Sequence, residues 1–504
     1  MTILSRHNRA SFETTKRVLA EIVNEGLVHA KLEITTSEGP QILCLLSTLN
    51  PEGESLVKVA IKPGTIIEMR DDRVVSVVRP GSLQPPVILA DTNHEEFDPG
   101  TLFKVLSTSF GDVASGTVLD EIVRELRNSA ANQEKWLEIG QDQPLLNLKD
   151  RSAHWELTAE DIPGMLKPTL AFISVPRTDL RVTGHFEQEL QPLLERLEIP
   201  GITSDRVIVP CLSQQLSSIH QRFPNATVLK LIEDCADAQA SMRTLTLRPD
   251  GPVQSELLEK LLPNDLWGFR EVAGVTGSQE DFNDARHLSC ILRDSLETRA
   301  RENDETLIIA AALAQKPSGD GLLFELVLPP LVQYGIGLEG HGQNLVARVC
   351  RRTGQIKGFA VRDFGGVRMH VPTLRNHGVR FDSLPPGAAT LTDDLQNVWS
   401  KVHHSLLQNH VGLLLGALGL ENHGGWAITL EILSTVLASE KGSPGETLFE
   451  YFTKDTMPFK CFLRMRMESK YRDYIEREVP NSLLMDTPRW ESLLDTYRPS
   501  LHAT

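Results

Sequence analysis

Short β-prone runs separated only by turn residues place the strongest limit on what this chain can fold into. Five of them follow one another between two helical patterns at 12–27 and 101–147: Lys31–Thr36, Gln41–Ser47, Leu56–Ile61, Thr65–Met69 and Arg73–Val78. Connections this short suit antiparallel hairpins, because parallel strands need long crossovers, and Asp71-Asp72 is a suitable turn between the last two runs. The pattern predicts an α+β fold with several antiparallel hairpins rather than a doubly wound parallel sheet.

The rest of the chain contains both strand-like and helix-like patterns of apolar residues. Its 504 residues exceed the size of one hydrophobic core, so two or three domains are expected. In the middle, the pattern predicts strands at Leu170–Val175 and Arg206–Val209 and helices at Phe186–Leu197, Gln254–Leu262 and Asp281–Arg301. Towards the C-terminus it predicts helices over Glu305–Ala314, Leu322–Val332, Gly335–Arg348, 393–420, 426–439 and 460–478.

Charge and hydropathy exclude some partners. With a formal net charge of −16 and no dense run of Lys or Arg, the chain is expected to bind neither nucleic acid nor an anionic membrane. Its longest apolar runs are far shorter than the roughly 20 residues of a membrane helix, and the N-terminus lacks a secretory signal pattern. Six widely spaced cysteines fit a reducing compartment. A cytoplasmic protein is therefore expected.

The densest polar cluster is Glu339-Gly-His341-Gly-Gln343-Asn344. Glu and Asn offer hard oxygen ligands for Mg²⁺, His can donate to a carboxylate or shuttle a proton, and the glycines let a ligand approach the backbone. The cluster is predicted to be part of a functional site. A polar turn with a helix cap is the alternative.

A second cluster, Arg362-Asp363-Phe364-Gly365-Gly366, follows a short predicted strand, Lys357–Val361. An Asp beside two glycines at a strand end suits a bound metal–nucleotide, unless the segment merely turns the chain. Two apparent motifs here are weak. Gly335–Gly340 matches the dinucleotide-binding pattern GxGxxG but follows Pro329-Pro330, which does not suit a central strand. Asp363-Phe364-Gly365 spells a kinase triplet without the kinase order of motifs.

Two further sets carry less information. Ser241-Met-Arg243-Thr244 could clamp a phosphate through two hydroxyls and a guanidinium, although an exposed strand end explains the residue types better. His403, His404, His410 and His423 lack the spacing of a zinc site, and most are expected to be hydrogen-bonded packing residues.

The first two clusters together resemble the paired motifs E-(A/G)-H-x-Q-N and R-D-F-G-G of the IucA/IucC-type, NRPS-independent siderophore synthetases. Ser241–Thr244 resembles the S-x-R-T element of that family. Further segments that resemble the family are Leu328-Pro-Pro330, Asn409-His410, Gly424-Gly425-Trp426 and Lys460–Arg466. The resemblance covers roughly residues 150–490.

The resemblance implies a thumb, fingers and palm, assigned here to residues 1–150, 151–320 and 321–504, with a helix-rich palm. It implies adenylation of a citrate-like carboxylate by ATP with Mg²⁺, followed by capture with an amine or alcohol. Ser241, Arg243 and Thr244 would grip ATP, with Arg243 and His341 acting in catalysis and His341 touching the carboxylate. Glu339, Gln343, Asn344 and Asp363 would bind the nucleotide, with Glu339, Asn344 and Asp363 on the metal. The resemblance also implies self-association.

Two basic segments of that family have no counterpart in this sequence. One would follow Glu156, where no basic residue occurs through Leu166, and the other would follow Asp250, where no cation occurs until Lys260. Losing them would remove several charge-assisted contacts, each worth about 1.5–3 kcal/mol. Three hypotheses therefore stay open: an active ligase, a catalytically impaired homologue that serves as a binding or assembly module, and, more weakly, a small-molecule phosphotransferase.

Overall fold

The computed structural model describes residues 4–34, 41–110, 116–142, 169–200, 203–233, 261–280, 285, 287–310, 320–379, 390–438, 440–470 and 475–497. Buried apolar residues form three main clusters: one from the first 123 residues plus Met467, one between Leu170 and Leu292, and one between Leu266 and Leu483. Helices and antiparallel sheets are mixed throughout, so the α+β prediction is confirmed. The division at 150 and 320 stays a prediction.

The N-terminal part packs three helices on one antiparallel sheet. The helices are α1 (Arg6–Asn24), α2 (Pro99–Ser107) and α3 (Gly116–Asp142). The sheet has the order β1-β2-β3-β6-β7, with β1 (His29–Ile34), β2 (Gln41–Leu46), β3 (Val57–Ile61), β6 (Leu83–Leu89) and β7 (His94–Glu95). Helix α1 begins after Ser5, whose side chain accepts a hydrogen bond from the Asn8 N–H, and it buries one apolar face against the sheet.

The predicted hairpin turn at Asp71-Asp72 is confirmed, but its strands are much shorter than the predicted runs Thr65–Met69 and Arg73–Val78. Strands β4 (Met69–Arg70) and β5 (Arg73–Val74) pair antiparallel, with Met69 opposite Val74. Asp71 and Asp72 both have left-handed backbones, with φ of 48° and 57°. Two such residues are what a two-residue hairpin turn of this hand requires.

The middle part contains two three-stranded antiparallel sheets. Their orders are β10-β8-β11 and β14-β13-β9, with β8 (Leu170–Pro176), β9 (Leu180–Gly184), β10 (Arg206–Leu212), β11 (Thr227–Ile232), β13 (Glu271–Gly277) and β14 (Ser289–Arg293). The helices are α4 (Phe186–Arg196), α5 (Leu216–Arg222) and α6 (Glu297–Glu302). The predicted helix over Asp281–Arg301 is wrong, because β14 occupies its centre and pairs with β13. Most of the predicted helix Gln254–Leu262 lies outside the described residues.

The C-terminal part is built on a four-stranded sheet of order β12-β18-β17-β15 and two smaller sheets of orders β16-β19-β20 and β21-β22. Their strands are β12 (Leu266–Gly268), β15 (Glu305–Ile309), β16 (Ile336–Gly337), β17 (Leu345–Cys350), β18 (Ile356–Val361), β19 (Arg368–His370), β20 (Leu391–Thr392), β21 (Thr456–Lys460) and β22 (Glu476–Pro480).

The C-terminal part also contains helices, several of which pack against these sheets. They are α7 (Asp320–Tyr334), α8 (Val371–Asn376), α9 (Leu395–Val402), a π-helix (His403–Val411), α10 (Gly412–Leu418), α11 (Gly425–Leu437), α12 (Pro444–Phe452), α13 (Phe462–Met467) and α14 (Arg489–Thr496). None of the helices in the described part of the chain has both the length and the apolar character needed to cross a membrane.

Three predicted helices are wrong or too long. Glu305–Ala314 contains strand β15, in which buried Glu305 pairs with Arg348 of β17 at 2.9 Å. Gly335–Arg348 contains β16, a polar loop and the start of β17, and only Phe462–Met467 of 460–478 is helical. Short apolar runs carry no periodicity that separates a strand from a helix, so strand pairing with distant residues decides the outcome.

Candidate active site

The two polar clusters predicted from the sequence lie side by side. Strands β17 and β18 pair antiparallel with Leu345 opposite Val361, so the residues just before β17 meet those just after β18. The Arg362 N–H donates to the Asn344 carbonyl at 3.0 Å, and Arg362 Nε donates to the Gln343 carbonyl at 2.9 Å. This short hairpin turns two sequence motifs into one site.

The Glu339 carboxylate is held between the two clusters. Lys401 Nζ of helix α9 donates to Glu339 Oε1 at 2.7 Å, and both side chains are largely shielded from water. A Cβ atom at Gly366 would lie 1.7 Å from Glu339 Oε2, so the glycine allows the carboxylate to lie against the backbone of the second cluster. Asp363 precedes this contact with a left-handed backbone, φ 69°, which a non-glycine residue rarely adopts. Two carboxylates therefore flank one turn.

Asn344 and His341 both lie in the loop that precedes β17, and Asn344 stabilises it by hydrogen bonds. Asn344 is buried, its Nδ2 donates to the Glu339 carbonyl at 3.3 Å, and its N–H donates to the His341 carbonyl at 2.9 Å. Asn344 thus stabilises the loop, as the alternative of a polar turn expects, without a helix cap. His341 lies near His410 of the π-helix, and burial together with the charge of His341 lowers the pKa of His410 to about 4.

A cleft of about 420 Å³ opens beside Lys401. Its cationic lining residues are Arg368, Lys401, Lys454 and Lys460, and its acidic ones are Asp394, Glu476 and Glu478. Burial, more than the nearby charges of Lys401 and Arg368, lowers the pKa of Lys460 to about 8, while Glu339 and Glu476 act in the opposite direction. Lys401, Arg368 and Glu339 all influence the pKa of Lys460, so these four groups share one electrostatic environment.

The π-helix forms the wall behind this site. His403, His404 and His410 are buried in it, and burial lowers the pKa of His403 to about 4 and of His404 to about 3. His403 and His404 are bonded to Gln408, as expected for packing histidines, whereas His423 is exposed. Turns of π-helix occur mostly near functional sites. The described residues contain no group of three or more His, Cys, Asp or Glu arranged to hold a metal.

Sequence reasoning found part of this site. Glu339, His341, Gln343, Asn344 and Asp363 come together as predicted by their adjacency, whereas Ser241, Arg243 and Thr244 lie outside the described residues. Arg368, Lys401 and Lys460 were missed as site residues. Arg368 stands two residues after Gly366, and Lys460 opens the segment Lys460–Arg466, but Lys401 has no local signal because its partner is 62 residues away.

Comparison with solved structures defines the class of the fold. Petrobactin biosynthesis protein AsbB from Bacillus anthracis matches with a TM-score of 0.70 and 15% identity, over 97% of this chain and 97% of that one. ATP-bound aerobactin synthetase IucA from Klebsiella pneumoniae matches with a TM-score of 0.64 and 14% identity, over 94% and 99%. The fold is therefore that of the siderophore synthetases.

Sequence relatives identify the family. The NRPS-independent siderophore synthetase-like protein ankE from Aspergillus thermomutatus is 40% identical over 99% of this chain and 99% of its own length. D-ornithine–citrate ligase from Staphylococcus aureus is 32% identical over 32% of this chain and 27% of its own length. A family model described as a ferric iron reductase FhuF-like transporter matches residues 321–475. The chain belongs to the NRPS-independent siderophore synthetase family.

The full-length relative also has residues that this chain lacks. The alignment with ankE extends over 602 positions, whereas this chain has 504 residues. At least 98 aligned positions of the relative consequently have no counterpart in this chain.

Proposed function

We propose that this protein is an ATP-dependent synthetase of siderophore biosynthesis, which activates a citrate-like carboxylate and condenses it with an amine or an alcohol. The observation that carries the proposal is the cleft lined by Arg368, Lys401 and Lys460, of which Lys401 is also paired with Glu339. A triphosphate and a polycarboxylate together bring many negative charges into one place. Cations held in a partly buried cleft stabilise such charges far better than water-exposed ones do.

The remaining residues receive roles from the same proposal. Ser241, Arg243 and Thr244 grip ATP, and Gln343 and Asn344 shape the loop that faces it. His341 contacts the carboxylate substrate, and His341 and Arg243 act on the reacting groups. The carboxylate–amine coupling agrees with the printed name of one relative, a D-ornithine–citrate ligase, and ATP agrees with the ATP-bound state of one solved neighbour.

Glu339 and Asp363, with Asn344, suit Mg²⁺. In nucleotide sites this ion is held by one or two carboxylates together with phosphate oxygens. The Gly366 N–H donates to the Asp363 carbonyl at 3.2 Å, and Glu339 lies against Gly366, so the Glu339 carboxylate lies beside the turn that Asp363 begins. When bound, Mg²⁺ would offset phosphate charge as the pyrophosphate leaves.

Pyrophosphate release tests the proposal directly. Purified protein is given Mg·ATP and citrate, with hydroxylamine as a general acceptor. Release that depends on citrate, yields AMP and is abolished by Asp363→Ala supports the ligase. Release of ADP instead would support the phosphotransferase, and no release from folded protein would contradict both.

A catalytically impaired homologue is the second candidate. It is favoured by the excess length of the aligned relative, which is the outcome expected if the two basic segments are absent. Calorimetric titration with Mg·ATP distinguishes the two. Tight binding of Mg·ATP without turnover would support the binding or assembly role and contradict the active ligase.

A further inference from the structure

Both strands of one cleft-lining hairpin are tied to the same end of helix α1. Strand β21 ends at Lys460 and strand β22 begins at Glu476, which lies directly opposite it. Just after β21, the Leu463 and Arg464 N–H groups donate to the two oxygens of Glu25 at 2.7 and 2.8 Å. Glu25 directly follows α1, so one N-terminal carboxylate holds the chain three residues beyond Lys460.

Strand β22 is bonded to Asn24, the last residue of α1. Arg477, next to Glu476, donates from Nη1 to the Asn24 carbonyl at 3.0 Å. The carbonyl end of a helix attracts cations, so this contact is electrostatically favourable. Glu25, Asn24 and Arg477 are all buried. Water therefore does not compete for these hydrogen bonds, and the hairpin cannot shift without breaking several of them together.

The neighbouring helix strengthens the same connection. Met467 of α13 belongs to the N-terminal apolar cluster, and Arg466 bonds Glu121 and Glu125 of α3 at 3.1 and 2.7 Å. Arg79 of the N-terminal part also pairs with Glu421 at 2.6 Å, and its Nη1 reaches the Gln408 carbonyl of the π-helix at 3.4 Å. The N-terminal part thus contacts β22 and the π-helix, both of which contribute residues to the cleft.

We infer that Glu25 is a positioning residue for the candidate active site, which fixes the β21–β22 hairpin and thereby the place of Lys460 in the cleft. The inference rests on the proposed function, since that function assigns Lys460 to substrate charge. Glu25 itself touches no substrate. Its effect is transmitted through the backbone of residues 461–464.

The test combines an activity-independent readout with kinetics. Amine labelling of Lys460 is followed by mass spectrometry across pH 6–11 in the wild type, Glu25→Ala and Glu25→Gln. The matched control is Thr15→Val, which removes a buried hydrogen bond from Thr15 Oγ1 to the Phe97 carbonyl, 2.8 Å long and confined to the N-terminal part. Thermal unfolding of all variants shows whether the losses in stability are comparable.

Loosening the hairpin exposes Lys460 to water, so we expect the midpoint of its labelling in Glu25→Ala to rise from about 8 towards 10.5. Glu25→Gln keeps one of the two acceptor oxygens and should show a smaller rise, which preserves the test if the alanine variant does not fold. Citrate-dependent pyrophosphate release should lose at least tenfold in kcat in Glu25→Ala, and Thr15→Val should change neither readout.

An unchanged Lys460 profile in both Glu25 variants would show a merely structural role and overturn the inference. A shifted profile in protein that releases no pyrophosphate even as wild type would uphold the positioning role while the proposed function fails. The two failures are thus distinguishable.

Discussion

A single cation, Lys401, is paired with the Glu339 carboxylate. Lys401 donates to Oε1, while Oε2 lies against the backbone of Gly366. Without the cation, a partly buried negative charge would lose its partner and move towards water. A charge-assisted hydrogen bond of this kind contributes about 1.5–3 kcal/mol.

We expect Lys401→Met to lower kcat/KM for citrate-dependent pyrophosphate release by roughly 10- to 100-fold, which is what that energy corresponds to. The matched control is Lys357→Met, since Lys357 is exposed on β18 of the neighbouring sheet. Equal kinetics in the two variants would contradict the role given to Lys401.

Gly366 offers a purely steric test of the same carboxylate. The Cβ of alanine would overlap Glu339 Oε2, which is the flexible end of a side chain and can move aside. We therefore expect Gly366→Ala to keep the unfolding temperature within about 3 °C while pyrophosphate release falls by at least tenfold. Gly81→Ala is the control, because a Cβ there meets no atom within 4 Å. A large loss of stability in Gly366→Ala would refute this explanation.

At the residue level, the sequence could predict which candidate residues lie together where they are close along the chain or at the ends of paired strands. Glu339, His341 and Asn344 share six residues, and Asp363 follows the next strand, so a hairpin was enough to unite them. Lys401 reaches Glu339 from a helix that no short-range pattern links to the motif. A contact of that kind depends on tertiary packing, which the sequence does not display.

At the scale of elements, turns and long amphipathic helices were predictable and short apolar runs were not. Asp71-Asp72 predicted its hairpin because few residues accept a left-handed backbone. Strand β15 was mistaken for a helix because its stability comes from pairing with β17 and from the buried contact between Glu305 and Arg348. Local propensity does not depend on either of these contacts, so it could not predict the strand.

Helix α1 contributes a pH-dependent element to stability. Burial, which outweighs attraction to Arg79, raises the pKa of Glu21 to about 7 from 4.5. Between these values the unfolded chain releases this proton while the folded chain keeps it, so the contribution of Glu21 to stability falls as pH rises through the window and levels off above 7.

We expect the free energy of unfolding of Glu21→Gln, relative to wild type, to rise between pH 5 and about pH 8. The buried histidines are shared by both proteins and cancel in the difference, whereas Glu25, whose pKa burial raises to about 8 and the charge of Glu21 raises as well, adds to the rise with the same sign. Urea denaturation at several pH values measures it. A difference that does not vary with pH would contradict the raised pKa of Glu21.

At the scale of the whole molecule, the family fold favours an active ligase, whereas the shorter length of this chain relative to ankE favours an impaired homologue. The alignment with ankE covers 99% of this chain and 99% of the relative, and both polar clusters, Glu339–Asn344 and Arg362–Gly366, are present in this sequence. The segments expected after Glu156 and Asp250 would carry phosphate-facing cations, and the net charge of −16 makes such local cations more important for an anionic substrate. ATP binding is therefore the property most sensitive to their absence.

Restoring those segments tests this directly. A chimera receives the residues of the ankE relative that align between the flanks of Glu156 and of Asp250, and a second chimera carries the same insertions with every Lys and Arg changed to Gln. Because each restored phosphate contact is worth about 1.5–3 kcal/mol, we expect the first chimera to bind Mg·ATP at least tenfold more tightly than the natural chain by calorimetry. The neutralised chimera should bind like the natural chain. An equal gain in both chimeras would mean that the segments act through folding rather than charge, and no gain in either would contradict the role given to the segments.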